Sequence, residues 1–390
     1  MSGAPAGSAH TVIIGGGPAG LAVAACLERV GVPCLILERS TAVASAWHRH
    51  YERLQLHTDK AHSELPFAPF PPDYPRYPSR TDLIAYLEAY AAGLRSEIRL
   101  GQEVRSVSRV DGTWEVRTST LAWQTPTVVV ATGYNREPYV PAWPDRDRFR
   151  GTMLHSSRYR TGERFANQEV LVVGFGNSGG EIAIDLAEHG ARVSMAVRGP
   201  VNVIPRELFG IPILSIGVLQ SKLPPRVADA INRPILRATI GDLAPLGLRR
   251  SEDGTMTRIR RDARIPLIDV GTIDLIRRGR TTVRPGIERF TWDGVVFTDG
   301  CRRRFDVVVL ATGYRPRVDT FLRNASAALG PDGAPLTSGR ESPIPGLYFC
   351  GYRVSPTGIL REIGREAGRI ATAIARARAR PRPSAAVLAR

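Results

Sequence analysis

Two glycine-rich hexapeptides have the spacing of a turn that makes room for a nucleotide pyrophosphate. The first runs Gly15-Gly16-Gly17-Pro18-Ala19-Gly20 and the second runs Gly174-Phe175-Gly176-Asn177-Ser178-Gly179. Each follows an apolar stretch typical of a strand and precedes a pattern typical of a helix, which is the context that this chemistry requires. The start of such a helix offers N–H groups and a positive dipole to the pyrophosphate. We therefore expect nucleotide contacts at Gly15, Gly17, Gly20, Gly174, Gly176, Asn177, Ser178 and Gly179.

The residue that ends the second strand of each motif indicates which nucleotide is held. Glu38 stands about 20 residues after the first glycines, where a carboxylate accepts hydrogen bonds from ribose hydroxyls, as the adenosine of FAD requires. Arg198 takes that place in the second motif, where a guanidinium pairs with the 2′-phosphate of NADPH. Arg198 can alternatively be an ordinary surface arginine. The predicted cofactors are FAD and NADPH.

The elements around the two motifs repeat coarsely along the chain. Strands are expected at Thr11–Ile14, Cys34–Glu38, Glu169–Val173 and Arg192–Arg198, with helices from each glycine motif to Arg29 and Glu188. A further strand in each half leads into the same tetrapeptide, Ala131-Thr132-Gly133-Tyr134 and Ala311-Thr312-Gly313-Tyr314. The pattern predicts an α/β fold of two nested Rossmann-like dinucleotide-binding domains, of the three-layer ββα/βαβ type.

Composition shifts suggest where the two units divide. We expect the first part of an FAD-binding domain over 1–165, an NADPH-binding domain over 166–285 with a helical insertion at about 200–265, and the rest of the FAD-binding domain over 286–390. Within this scheme, 281–310 forms hairpin strands returning to the first domain. Leu208–Leu219 is interpreted as a buried or interfacial helix, and a C-terminal helix is expected over Ile359–Ala377.

Composition and charge exclude several classes of protein. The 390 residues carry a net charge of +16, almost all from arginine, since lysine occurs only at Lys60 and Lys222. The charge is spread along the chain, and its one concentrated stretch, Arg369–Arg382, is interpreted as a solvated helix face, so no nucleic-acid partner is expected. No membrane span is expected, and Met1–His10 does not resemble a signal peptide.

The cysteines do not suggest redox or metal chemistry. Cys26, Cys34, Cys301 and Cys350 form neither a CxxC pair nor a metal-ligand spacing. We interpret them as inert core thiols in a reducing cytoplasm, with no metal site. The oligomeric state is left open.

A more specific motif stands just before the second glycine turn. Phe149–Tyr159 fits FxGxxxHxxxY, and with it the chain resembles the flavin-containing monooxygenases from Thr11 to about Ala373. Within that family it looks most like the plant indole-3-pyruvate monooxygenases, the YUCCA group. The tracts carrying this likeness are Cys34–Ser40, Arg53–Pro66, Phe149–Tyr159, Val170–Gly179, Val203–Gly210, Leu246–Arg250 and Leu267–Gly271. The segment Tyr352–Glu362 departs from the plant pattern.

The resemblance implies that NADPH reduces FAD, which then reacts with O2 to form a C4a-(hydro)peroxyflavin. Attack on the carbonyl of an aryl α-keto acid such as indole-3-pyruvate would release CO2 and leave indole-3-acetate. The alternatives are an N-, S- or Baeyer-Villiger monooxygenase of another small molecule, an NADPH-dependent flavin reductase, and a flavin-bound regulatory protein. The divergent segment Tyr352–Glu362 bears on which substrate is accepted.

The resemblance also implies roles for individual residues. His57 is the main catalytic candidate, against an equally weighted structural role. Asn177 is a second candidate, against the alternative that it only tolerates left-handed backbone angles. Arg39, Trp47, Gln55, Leu56, His57, Thr132, Gly133, Thr312, Gly313 and Gly351 are expected along the cofactors. His155 is expected to order the linker between the domains. Leu208–Leu219 could supply an apolar slot, and the candidate cations for a substrate carboxylate are Arg206, Arg249, Arg250 and Arg361.

Overall fold

The computed structural model describes residues 5–379 and is a mixed α/β protein. Residues 1–4 and 380–390, which include part of the predicted Met1–His10 and Arg369–Arg382 features, lie outside the described range. The helices are α1 Pro18–Arg29, α2 Ser45–His48, α3 Arg80–Ala92, α4 Asn177–Glu188, α5 Ile213–Gln220, α6 Pro225–Ile240, α7 Thr255–Asp262, α8 Thr272–Arg277 and α9 Ile359–Ala379.

The strands are short and occur throughout the described chain. They are β1 Pro5–Ser8, β2 Thr11–Ile14, β3 Leu35–Leu37, β4 Glu97–Arg99, β5 Ser106–Val110, β6 Thr113–Arg117, β7 Ala122–Thr125, β8 Thr127–Val130, β9 Glu137–Pro138, β10 Thr152–His155, β11 Glu169–Val173, β12 Arg192–Ala196, β13 Val203–Pro205, β14 Glu207–Leu208, β15 Ile211–Pro212, β16 Leu267–Asp269, β17 Thr281–Arg284, β18 Ile287–Thr291, β19 Gly294–Phe297, β20 Arg302–Arg304, β21 Val307–Leu310, β22 Tyr314–Arg315 and β23 Leu347–Phe349.

Two parallel five-stranded sheets organise these elements. The first has the order β23-β8-β2-β3-β4 and the second the order β10-β21-β11-β12-β17. The glycine motifs follow β2 and β11, which are the middle strands. In each sheet the strand that leads into the repeated tetrapeptide, β8 or β21, is a direct neighbour of the glycine strand. The two nucleotide turns therefore have equivalent surroundings.

Each parallel sheet is covered by helices on one face and by a small sheet on the other. On the first sheet, α1, α3 and α9 bury residues such as Leu21, Leu87 and Ile370, while the opposite core contains Trp114 and Trp123 of the sheet β1-β7-β6-β5. On the second, α4 covers one face and β18-β19-β20 the other. A fully buried large apolar side chain contributes roughly 1.5–3 kcal/mol, so these layers supply most of the stabilisation. The predicted three-layer α/β fold class is confirmed.

Strand pairing corrects the expected position of 281–310. We predicted that this segment returns to the first domain, but β17 pairs with β12 and β21 pairs with β11 in the second sheet. That expectation was wrong because short apolar strands such as Val307–Leu310 fit either sheet by pattern alone. The second sheet also takes in β10, from before residue 166. We therefore propose that the second nucleotide-binding unit extends from β10 to β21.

The insertion is also built differently from the prediction. Leu208–Leu219 is not one helix: β14 and β15 form a hairpin whose tip, Phe209, is 92% exposed, and only α5 is helical. Gly210 at the tip has a φ of 77°, which explains the reversal. A separate core of the insertion includes Val203, Ile240 and Leu267. The C-terminal helix begins at the predicted Ile359 and continues past the predicted end at Ala377 to Ala379, the last residue that the structure describes.

The four cysteines differ in their burial. Cys26 and Cys350 are buried, and burial raises the pKa of the Cys26 and Cys34 thiols to about 11 each, so both stay protonated near neutral pH. Cys301 departs from the prediction of a core thiol, because it lies half-buried in the turn before β20. Within residues 5–379 no group of three or more potential ligands could hold a metal ion, and no helix is long and apolar enough to cross a membrane.

Tyr159, the last residue of the FxGxxxHxxxY motif, attaches the linker between the two units to helix α4. Its ring is fully buried, stacks on Phe165, and its hydroxyl donates to Asp185 Oδ2 of α4 at 2.5 Å. We expect Tyr159→Phe to lower the free energy of unfolding by about 1–3 kcal/mol, because the buried carboxylate loses a donor. Urea unfolding measures this. Tyr139→Phe, at an exposed ring, is the control, and equal losses in the two variants would contradict the prediction.

Candidate functional site

Backbone contacts determine the shape of the first glycine turn. A Cβ at Gly15 would lie 2.6 Å from the Ala131 carbonyl oxygen, and one at Gly20 would lie 1.9 Å from the Gly15 carbonyl oxygen. Gly15 also has a φ of 114°, which favours glycine. A Cβ at Gly17, by contrast, would meet nothing within 4 Å. The glycines are therefore required for different reasons. Gly15 and Gly20 allow the strand and the helix to pack closely, whereas Gly17 leaves open space above the start of the helix.

The second turn repeats this arrangement. A Cβ at Gly174 would lie 2.4 Å from the Ala311 carbonyl oxygen, one at Gly179 would lie 2.4 Å from the Gly174 carbonyl oxygen, and one at Gly176 would meet nothing within 4 Å. Open space at the middle glycine, beside the N-terminus of α1 or α4, fits a pyrophosphate in both turns. Contact of these residues and of Ser178 with a nucleotide remains a prediction.

Glu38 is fixed in a position suited to a ribose. The side chain is buried, Oε2 accepts from the Gly16 N–H at 2.7 Å, and Oε1 accepts from the Ser40 N–H at 2.9 Å and from the Ser45 hydroxyl at 3.3 Å. These bonds orient the carboxylate and leave acceptor capacity for hydroxyl groups. Arg39 follows it and is exposed.

Arg198 lies two residues beyond β12 at the equivalent place in the second unit. It is exposed, its side chain packs beside Gly286, and it makes no hydrogen bond or ion pair with the described residues. An unpaired guanidinium at this edge fits an anionic group of a nucleotide.

Asn177 is the first residue of α4 and does not have a left-handed backbone. The expectation that it is there to tolerate such angles was wrong. Its side-chain Oδ1 instead accepts from the Ile268 N–H of β16 at 2.8 Å, so it ties the insertion to the nucleotide helix. A catalytic role for Asn177 remains an untested prediction.

His155 joins the linker to the second tetrapeptide. Nε2 donates to the Gly313 carbonyl at 3.0 Å, and Nδ1 accepts from the Ser157 N–H at 3.1 Å, which specifies one neutral tautomer. Burial lowers the pKa of this imidazole. Beside it, the Thr312 hydroxyl donates to the Tyr139 carbonyl. These contacts fit the expected ordering role rather than proton transfer.

The remaining predicted cofactor residues are spread around the first unit. The Thr132 hydroxyl is hydrogen-bonded to the Tyr352 hydroxyl at 2.8 Å, next to Gly133, and the Gly351 N–H donates to Glu366 Oε2 at 2.8 Å. Trp47 is half-buried and packs against the cores of both units. Leu56 is buried in the first core, whereas Gln55 is exposed.

His57 lies where the two units meet. Its Nε2 is 3.1 Å from Glu181 Oε1 of α4, but the ring is turned so that this buried nitrogen has no hydrogen-bond geometry to a described residue. The Tyr51 hydroxyl donates to the other oxygen, Glu181 Oε2, at 2.5 Å. Glu181 and Tyr51 were not identified from the sequence. The available signal was the stretch 181–188 of this helix, in which acids at 181, 185 and 188 stand among apolar residues and share one face.

A cavity of about 440 Å³ adjoins this cluster. Its lining combines both units and the insertion: Glu52, Arg53, Leu54, Gln55, Ser79, Glu181, Arg206 and Val270. Arg206 therefore lies in the cavity wall, while Arg250 donates to the Gly241 carbonyl and Arg361 lies 3.7 Å from Glu362. Arg249 is exposed in the insertion. The predicted apolar slot of Leu208–Leu219 does not contribute to this lining.

Arg206 is held without an acidic partner. Its guanidinium carbon lies 4.3 Å from the centroid of the Tyr77 ring, and Nη1 is 3.5 Å from Gln55 Oε1. It forms no ion pair with a described carboxylate, so its charge is available to an anion in the cavity.

Comparison with known proteins shows the family of the chain. The family described as pyridine nucleotide-disulphide oxidoreductase matches residues 12–205. Indole-3-pyruvate monooxygenase YUCCA1 of Oryza sativa subsp. japonica is 43% identical over 357 residues, covering 87% of this chain and 86% of that protein. Probable indole-3-pyruvate monooxygenase YUCCA1 of Arabidopsis thaliana is 39% identical over 354 residues, covering 87% and 84%.

Solved structures show the same fold. A flavin-containing monooxygenase from Stenotrophomonas maltophilia has a TM-score of 0.75 at 23% identity, covering 95% of this chain and 99% of that one. Bacillithiol disulfide reductase Bdr from Bacillus cereus has a TM-score of 0.69 at 19% identity, covering 95% and 99%.

The relatives confirm the family resemblance and the monooxygenase class inferred from the sequence, and they are consistent with the predicted cofactors, FAD and NADPH. With 43% identity across most of both proteins, the chain belongs to the YUCCA family of indole-3-pyruvate monooxygenases.

Proposed function

We propose that the protein is an FAD- and NADPH-dependent monooxygenase that converts an aryl α-keto acid, such as indole-3-pyruvate, to the acid one carbon shorter. One oxygen atom of O2 enters the new carboxyl group, and the bond between the carbonyl carbon and the substrate carboxylate breaks to release CO2. The other oxygen atom leaves as water, with two electrons from NADPH and one proton from solution. A cytoplasmic location is part of this proposal.

The observation that carries the proposal is the 43% identity over 357 residues with a rice enzyme named for indole-3-pyruvate. The cavity supports it, because Arg206 supplies a cation for a carboxylate while Leu54 and Val270 supply apolar surface for a ring. Bound FAD would supply the oxygen chemistry that amino-acid side chains lack. The chain's own residues bind the nucleotides, orient the substrate and exclude water.

The two nucleotide sites can be separated by substitution. Gly17 and Gly176 have extended backbone angles, with φ of −89° and −104°, and open space at the Cβ position. We expect Gly17→Val to fold but to bind no FAD, and Gly176→Val to keep FAD but to resist anaerobic reduction by NADPH. Flavin absorbance measures both. A yellow, NADPH-reducible Gly17→Val protein would contradict the assignment of the two sites.

Arg198 is expected to select NADPH over NADH. A charge-assisted bond to phosphate contributes about 1.5–3 kcal/mol, so Arg198→Ala should weaken NADPH roughly ten- to a hundredfold and leave NADH nearly unchanged. Steady-state kinetics with each nucleotide measures this. Arg192→Ala, at the start of β12 and paired with Glu169, is the matched control. Equal losses for both nucleotides would assign Arg198 a structural role.

Product analysis tests the proposed reaction directly. The enzyme, NADPH and O2 are incubated separately with indole-3-pyruvate, phenylpyruvate and a tertiary amine, and CO2 and the shortened acid are quantified. We expect keto acids to yield both products in equal amounts. If no keto acid does so above the uncatalysed reaction with peroxide, the proposed substrate class is wrong.

The same assay tests whether Arg206 binds the carboxylate of the substrate. Arg206→Gln should raise the KM for a keto acid roughly ten- to a hundredfold, because a charge-assisted bond is lost. It should leave the KM for NADPH unchanged. Arg249→Gln, at an exposed arginine of the insertion, is the control. An unchanged KM for the keto acid in Arg206→Gln would remove this residue from the substrate site.

A further inference from the structure

Residues 355–358, within the segment Tyr352–Glu362 that departs from the plant pattern, form a turn in front of α9. The Thr357 N–H donates to Ser355 Oγ at 3.2 Å, and the Thr357 hydroxyl donates to Glu362 Oε1 at 2.6 Å. Thr357 and Glu362 are both buried. The 355–358 turn is therefore fixed to the first turn of α9 through groups that are shielded from water.

The 355–358 turn contacts helix α5 of the insertion and not the cavity itself. No residue of Tyr352–Glu362, a segment that the structure describes throughout, lines the cavity of about 440 Å³. A Cβ at Gly217 of α5, however, would lie 2.6 Å from the Pro356 carbonyl oxygen, a separation at which one of the two groups must move. The backbone of α5 thus lies directly on the backbone of the turn, and a side chain at position 217 would push them apart.

A second contact lies three residues earlier on α5. Leu214 is buried, and a Cβ at Gly358 would lie 3.0 Å from Leu214 Cδ2 and 3.6 Å from Thr58 Cγ2. Leu214 and Gly217, at a spacing of three, share one face of the helix. That face therefore packs against the turn and against the first unit at Thr58, a short way along the chain from Gln55 of the cavity wall.

The start of α5 is bonded to Arg206, the unpaired cation of the cavity wall. The Ile213 N–H donates to the Arg206 carbonyl at 3.0 Å. The hairpin between these residues is also attached to the first unit, because Arg76 donates to the Gly210 carbonyl at 2.8 Å and pairs with Glu207 at 3.2 Å. An exposed pair of this kind contributes little. The packing of α5 on the 355–358 turn therefore fixes the backbone of Arg206 more firmly.

We propose that Gly217 is a positioning residue for the substrate: by letting α5 lie directly on the 355–358 turn, it places the Arg206 guanidinium where it binds the substrate carboxylate. This role rests on the proposed function, because it concerns the binding of the keto acid. The segment that departs from the plant pattern thus acts on the substrate through α5 and Arg206, without touching it. A side chain at position 217 shifts the cation away from the rest of the cavity wall and weakens the binding of the acid.

Kinetics of the full-length, FAD-loaded protein test this role. Gly217→Ala sets one methyl group against the Pro356 carbonyl, so α5 must shift. We expect the KM for indole-3-pyruvate to rise roughly three- to tenfold, a part of the effect of losing a whole charge-assisted bond, with kcat little changed. The KM for NADPH and the rate of anaerobic flavin reduction should stay the same. Gly368→Ala, at a glycine of α9 whose Cβ position is open, is the matched control and should leave all these constants unchanged.

A double variant decides whether the effect passes through Arg206. In Arg206→Gln the cation is absent, so the addition of Gly217→Ala should raise the KM for the keto acid no further. A rise that persists in this background, or an unchanged KM in Gly217→Ala alone, would overturn the proposal. If Gly217→Ala fails to fold, Leu214→Ala, which loosens the same face of α5 without adding an atom, is held to the same two criteria.

Hydrogen exchange probes the same contact without a substrate and so separates it from the proposed function. The Ile213 amide is protected by its bond to the Arg206 carbonyl, so residues 206–220 should exchange faster in Gly217→Ala and at the original rate in Gly368→Ala. Unchanged exchange over 206–220 in Gly217→Ala would show that the 355–358 turn does not support this segment. Faster exchange, together with no decarboxylation by the unmodified protein, would leave the support of Arg206 intact and refute the keto-acid assignment alone.

Discussion

The close approach of backbone to backbone at the two strand-to-helix turns is the constraint on which the rest of the structure depends. The Gly15 carbonyl lies against Gly20, and Gly15 lies against the Ala131 carbonyl of the neighbouring strand; Gly174, Gly179 and Ala311 repeat the arrangement. These contacts bring the starts of α1 and α4 against the ends of the middle strands. Any side chain at these positions would push the helix away from the sheet and spoil both the core and the nucleotide turn.

Helix α4, which starts at the second glycine turn, also connects the two units. Its acids Glu181, Asp185 and Glu188 are spaced by four and three residues and therefore share a face. Tyr51 and Arg53 of the first unit bind Glu181 and Glu188, and Tyr159 of the linker binds Asp185. The two buried members are hydrogen-bonded to tyrosines, whereas the exposed one pairs with arginine. The helix that starts at the second nucleotide turn thus also aligns the first unit with it.

Local sequence patterns predicted the bounds of the strands and helices at the nucleotide turns closely. The strands at Thr11–Ile14 and Glu169–Val173 and the ends of α1 and α4 agree with the sequence patterns, because each is determined by its own apolar periodicity and glycine spacing. Pairing across the chain was less predictable: β17 and β21 join the second sheet, although their sequences fit either sheet. Glu181 was missed for the same reason, since its partners are more than 120 residues away.

The cavity wall is assembled from separate parts of the chain. Its residues from the first unit precede α3, Glu181 lies on α4, and Arg206 and Val270 belong to the segments at either end of the insertion. The glycine turns, by contrast, are specified by contacts within each sheet. In the proposed function, substrate choice and cofactor use are therefore encoded by different stretches of sequence. If this cavity binds the substrate as proposed, a lineage descended from this protein can change the acid it accepts by mutation near residues 206 and 270 while both dinucleotide turns are inherited intact.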